Sequence, residues 1–98
     1  MNIYHIVLSE DWAAFKGDEY RAASLASEGF IHCSYEDQLA GVLRRYYSDA
    51  ASVVILRLDT EKLTSKVVEE PSTGGETYPH IYGPINRDAI VASATRDL

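Results

Sequence analysis

Hydrophobic positions along this chain come in short blocks, and the spacing inside each block changes from segment to segment. NIYHIVL, residues 2 to 8, is apolar, β-branched or aromatic at nearly every position, the pattern of a strand covered on both faces. His5 interrupts it. Ser9 then offers an N-cap, Glu10 and Asp11 suit a first helical turn, and Trp12, Ala13 and Phe15 supply apolar contacts until Gly17 stops a short helix. A second short helix, SLASE, is predicted with Ser24 as its cap and Gly29 as its end, before a strand FIHC from Phe30. Ser34 with Asp37 resembles a capping box, and Leu39, Val42, Leu43, Tyr46 and Tyr47 keep the i, i+3, i+4, i+7, i+8 spacing of the main helix.

The second half reads mostly as strands. In VVILRLD, residues 53 to 59, alternation puts Val54, Leu56 and Leu58 on one face and Arg57 on the other. Thr60 to Leu63 can make one capped turn, and KVVEE, residues 66 to 70, is a further strand. PSTGGETYP, residues 71 to 79, has the composition of the longest loop and is a candidate binding loop. HIYGPI turns at Gly83 and Pro84, and AIVASAT from Ala89 is the last strand. The order lacks regular βαβ alternation, so the fold class expected is α+β: a small, bent, mixed sheet with one main helix and two short ones. There is no repeat or low-complexity segment, and 98 residues support one domain over 1–98.

Composition narrows the partners. A formal charge of −6 with only nine Lys and Arg makes nucleic acid a poor partner, while a small nucleotide needs only one or two cations or backbone amides. One cysteine cannot close an intramolecular disulfide, the N-terminus lacks a signal-peptide pattern, and no apolar run approaches a membrane span. The expected location is cytoplasmic, with no membrane partner; the oligomeric state is not readable.

Candidate chemistry centres on His5, His32 and His80, each set among apolar or aromatic neighbours: IYHIV, FIHCS and YPHIY. One such imidazole is ordinarily a satisfied core residue. Three of them point to a shared cleft, because apolar residues would suit strand interiors at less cost. Period-2 geometry places His5 with Ile3 and Val7, and His32 with Phe30 and Ser34, so neighbouring strands can present both imidazoles to one pocket, with His80 approaching from the loop side. A three-histidine metal site is an alternative, but no His-x-His or His-x-x-x-His pair supports it. Cys33 faces away from His32 by alternation, among acids that disfavour a thiolate, and is assigned to the core. Of the carboxylates near these segments (Glu28, Glu69, Glu70 and Glu76), Glu70 before the loop is the first choice to stabilise positive charge on a substrate, the others being surface acids. Tyr78 and Tyr82 flank His80 and can stack on a flat ring or simply anchor the loop.

IYHI, SLASEGFIHCS, RRYY, VVILRLD and YPHIYGPI, spread over nearly the whole chain, together resemble the bacterial domain-of-unknown-function 952 family. That family is distantly similar in fold to the ADP-ribosyltransferases, which build an NAD cleft from two small sheets at an angle. The branch it resembles most is that of the tRNA 2′-phosphotransferases. There a first-strand histidine contacts the adenosine ribose, which corresponds to His5. A His-x-His segment lines the nicotinamide side, and His32 corresponds to its second half. Phe30 stands in place of the first histidine of that pair, Ile6 and Val7 replace the Gly and Thr that follow the first-strand histidine, and no phosphate-binding arginine lies just upstream of Phe30. Nor does a Gln-x-Glu or Glu-x-Glu pair occur in the final third. The resemblance implies a cleft of His5, His32, His80 and Tyr82 that binds NAD or a related nucleotide. If catalytic, it would transfer ADP-ribose or hydrolyse NAD, with His32 and Glu70 at the reacting centre. A non-catalytic metabolite-binding module is the alternative, and a metal-dependent hydrolase the second alternative.

Overall fold

The computed structural model describes residues 1–72 and 74–98. NIYHIVL forms β1 (Asn2–Leu8), followed by α1 (Ser9–Ala14), the short β2 (Glu19–Tyr20), α2 (Ala23–Glu28) and β3 (Ile31–His32). A 3₁₀ turn at Glu36–Gln38 leads into α3 (Leu39–Tyr46). Then come β4 (Ser52–Asp59), β5 (Lys66–Pro71), β6 (Thr77–Tyr82), β7 (Ile85–Asn86) and, after a second 3₁₀ turn, β8 (Ile90–Asp97).

The α+β class and the one main helix hold, but the sheet is not mixed. Every described strand pair is antiparallel: β1 with β4, β4 with β8, β3 with β6, β5 with β6, and β2 with β7. β3 and β4 do run in the same direction, joined by α3 as in a parallel crossover. β1 lies between them, pointing the opposite way, and so converts both contacts to antiparallel ones.

Instead of two small sheets there are three: β1-β4-β8, β3-β6-β5 and the two-stranded β2-β7. The two larger ones meet at a single bridge, where the Tyr4 N–H donates to the Ser34 carbonyl and the Ser34 N–H to the Tyr4 carbonyl, both at 2.8 Å. Past that bridge β1 and β3 diverge, which leaves a fork.

Two apolar clusters hold the sheets. Ile3 and Val7 of β1 and Val54, Leu56 and Leu58 of β4 pack with Ile31, Cys33, Ile81 and Ile85 between the sheets. On the opposite face Ile6, Val53 and Ile55 lie under Leu39 and Leu43 of α3. β1 and β4 are thus covered on both faces, as their continuous apolar runs require. Each fully buried Leu or Ile contributes about 1.5–3 kcal/mol over an exposed one.

Three local expectations are overturned. Ser34 does not cap α3, because its backbone is committed to the bridge with Tyr4; the entry to the helix is instead closed by Gln38, whose Oε1 accepts from the Tyr35 N–H at 2.9 Å. Neither Ser9 nor Ser24 acts as an N-cap: each lies within its helix, and their hydroxyls go to Ser52 (2.6 Å) and the Phe30 carbonyl (2.8 Å). The predicted loop 71–79 is shortened at both ends, since Pro71 belongs to β5 and Thr77, Tyr78 and Pro79 to β6, which pair as far as Pro71 and Thr77; Thr73 within that stretch lies outside the described residues. Pro71 is tolerated because it ends an edge strand.

Candidate functional site

The site is built at the fork between β1 and β3. His5, one residue past the bridge, is buried, and its Nδ1 lies 2.7 Å from the His32 carbonyl. A carbonyl only accepts, so Nδ1 carries the hydrogen. Burial pushes the His5 pKa down from 6.5 to about 4, against the raising effect of that hydrogen bond. At neutral pH the ring is therefore uncharged, with an acceptor lone pair on Nε2. Among the described residues no buried side-chain nitrogen or oxygen lacks a partner, so the unpartnered Nε2 opens into the fork.

Two adjoining cavities occupy the fork. The smaller, about 300 Å³, is lined by His5, Asp11, Tyr20, His32 and Tyr47, among others. The larger, about 530 Å³, is lined by His32, Tyr46, Tyr47, Tyr78 and His80, among others. They share His32, Ser34, Val42 and Tyr47, which makes one two-lobed cleft with His32 at its waist. Because both backbone groups of Tyr4 point to Ser34, alternation turns those of Ile6 and Leu8 to the same side, and both residues line the smaller lobe. The Ile6 carbonyl meets the Tyr47 hydroxyl at 3.5 Å.

On β6, period-2 geometry sends Pro79 and Ile81 into the core and lines up Tyr78, His80 and Tyr82 on the other face. His80 stands in register with His32, their ring centroids 5.2 Å apart. Phe30 stacks on His80 at 4.1 Å and touches the rings of His32 and Tyr82. Glu28 bonds His32 Nε2 at 3.1 Å at the solvent side.

Glu70 accepts from the Tyr82 hydroxyl at 2.5 Å and from His80 Nδ1 at 2.8 Å, both on Oε1. The Tyr82 bond, then the His80 bond, hold its carboxyl below the usual carboxylate range. Of the residues predicted for the site, His5, His32 and His80 line the cleft, whereas Tyr82 and Glu70 line neither lobe and stand behind His80. The imidazole nitrogens are engaged separately, and among the described residues no group of three or more His, Cys, Asp or Glu is arranged to hold a metal ion. The three-histidine metal site therefore has no geometric basis there. Cys33 is buried in the core, and burial pushes its thiol pKa up, as expected of an inert side chain.

Sequence reasoning missed Asp11, read as a helix-start acid but lining the smaller lobe, and Tyr20, whose pKa is raised by burial and then by Asp11. It also gave Tyr46 to helix packing. Tyr46 is 73% exposed and lines the larger lobe. Arg45 next to it donates to the Tyr78 hydroxyl at 2.8 Å, which brings a guanidinium to the rim of that lobe.

A half-buried histidine cleft in the fork of two small antiparallel sheets is the architecture of this α+β domain, and the chain belongs to the DUF952 family, described as a protein of unknown function, whose model matches residues 6–93. The chain is similar throughout its length to CC0527 from Caulobacter crescentus. The crystal structure of that protein is 33% identical with a TM-score of 0.84, covering 100% of this chain and 88% of that one. Its solution NMR structure gives 30% identity and a TM-score of 0.81, covering 99% and 85%. No curated protein matches the chain. No helix of the described residues is long and apolar enough to cross a membrane.

Proposed function

We propose that the cleft binds NAD or a closely related nucleotide and that the protein acts as an ADP-ribosyltransferase or NAD glycohydrolase. The observation that carries this reading is the fork itself: two lobes of about 300 and 530 Å³ meet at His32, with a neutral His5 buried at the divergence of the sheets. Both volumes lie in the range of small-molecule sites. The resemblance carried by the sequence motifs, which implies an NAD cleft of the ADP-ribosyltransferase kind, supports the same reading.

The residues fit such a ligand in part. His5 Nε2 can accept from a ribose hydroxyl, and Tyr46, Tyr47 and Tyr78 offer faces for a flat ring. Among the described residues no Lys or Arg lines either lobe, so a pyrophosphate would lie at the rim, where Arg45 is bonded to Tyr78. In a catalytic reading, the glycosidic bond to nicotinamide is broken at the waist beside His32. Asp11 is the carboxylate that reaches the cleft, while Glu70 acts from behind His80.

The commitment of Glu70 to Tyr82 and His80 favours a second reading, a binding module for a small metabolite without turnover. Calorimetric titration with NAD and ADP-ribose tests the first step, because a ligand of the folded state also raises its melting temperature by mass action. Binding of either nucleotide at up to millimolar concentration is expected, and silence from both would refute the nucleotide reading. Given binding, nicotinamide release by the wild type that disappears in His32→Ala marks an enzyme. Tight binding without release marks the module.

A further inference from the structure

We propose that His80 is a preorganised general base serving the larger lobe, with Glu70 and Tyr82 as the residues that position it. The proposal deepens the reading above and rests on it for the identity of what is attacked.

The geometry assigns the tautomer. Glu70 Oε1 lies 2.8 Å from His80 Nδ1 and 2.5 Å from the Tyr82 hydroxyl. An ionised carboxylate has no hydrogen to give, so His80 Nδ1 is the donor, and in its neutral form the ring keeps its lone pair on Nε2. Tyr82, anchored to the same oxygen, fixes Glu70 in turn. This is the base-and-orienter arrangement used by nucleophile-activating sites, here with a tyrosine as a second anchor.

The ring is also held in its plane. Phe30 stacks on it at 4.1 Å and 16°, and the register sets His32 on one side and Val68 on the other. Among the described residues Nε2 has no partner. Since no described nitrogen of a partly or fully buried side chain is sealed without a partner, that atom reaches open space, and His80 is among the residues lining the larger lobe. A histidine that only pinned the hairpin would have no need of a free acceptor there.

In the proposed step an acceptor hydroxyl or a water molecule occupies the larger lobe. Its oxygen forms a bond to the anomeric carbon of the nicotinamide ribose, and its proton passes to His80 Nε2. The bond to nicotinamide breaks with its electron pair leaving on neutral nicotinamide. His80 then returns the proton to solvent. No oxidant or reductant takes part.

Imidazole nitrogen-15 NMR on the whole protein without nucleotide, at a pH where the His80 ring is neutral, tests the assignment independently of NAD. The wild type is expected to hold His80 in the Nδ1–H form, and Glu70→Ala to release it into a mixture of tautomers. A hydrogen on Nε2 in the wild type, or an unchanged tautomer in Glu70→Ala, would overturn the proposal. With NAD bound, His80→Gln is expected to slow nicotinamide release about 100-fold, within the range for loss of a general base, while the NAD dissociation constant stays within about twofold, the signature of an interaction made only in the transition state. Wild-type release from His80→Gln would overturn it as well. Failure of NAD to bind the wild type would refute the functional reading alone, and the tautomer would then decide the fate of His80.

Discussion

His5 joins packing and chemistry in one side chain. Its ring sits on the face of Ile3 and Val7 within the core strand, yet one nitrogen is tied to the His32 carbonyl and the other opens to the fork. The cost of that placement is acid sensitivity. With a pKa near 4 in the folded protein against 6.5 in the unfolded chain, only the unfolded chain binds a proton between those values. Stability is therefore complete above about pH 6.5 and lost as the pH falls towards 4, by about 3 kcal/mol from this group. Urea unfolding from pH 7 to pH 4 is expected to show this acid limb, and His5→Asn, which keeps a donor near the Nδ1 position and cannot titrate, is expected to flatten it. An equally steep limb in the variant would assign the effect to other groups.

At the scale of elements, the sequence pattern located β1, β4 and α3 well, because each carries a continuous apolar run or a strong helical period. It did not locate β2, two residues paired with β7 through Glu19↔Asn86 and Tyr20↔Ile85, because two residues carry no period. The β6–β7 turn was legible from Gly83 and Pro84, and the structure adds the reason for glycine. Gly83 has φ of +155°, and a Cβ there would run into the Ser65 side chain, whose hydroxyl donates to the Pro84 carbonyl at 2.7 Å. Gly83→Ala thus combines backbone strain with displacement of Ser65. It is expected to cost about 2 kcal/mol, seen as a melting temperature roughly 10 °C lower for a domain of this size. A melting temperature within a degree or two of wild type would show that the turn relaxes freely.

For the molecule as a whole, the consequential contact is the bridge between Tyr4 and Ser34, where the two larger sheets touch and from which the cleft opens. Its strength lies in backbone groups, so Ser34→Ala should change stability by less than about 1 kcal/mol, whereas Ser34→Pro removes the donor to the Tyr4 carbonyl and should cost about 3 kcal/mol. Denaturant unfolding of both variants checks this, and similar losses in the two would move the importance to the hydroxyl. α3 then ties the sheets together from outside. Leu39 and Leu43 pack on one sheet, while Gln38 Nε2 donates to the Thr77 carbonyl at 3.0 Å and Arg45 bonds Tyr78 on the other.

The sequence by itself determined the α+β class, the two-sided burial of β1 and the inert core position of Cys33, because alternation and apolar content are local properties of the chain. Only the tertiary structure decided that every described strand pair is antiparallel, that His5, His32 and His80 line one cleft, that Ser34 joins sheets instead of capping a helix, and that Glu70 stands behind His80 and Asp11 beside His5. Those outcomes depend on which strands become neighbours. β1 enters between β3 and β4, and β5 folds back on β6, so residues far apart in the chain meet at distances that no spacing along it encodes.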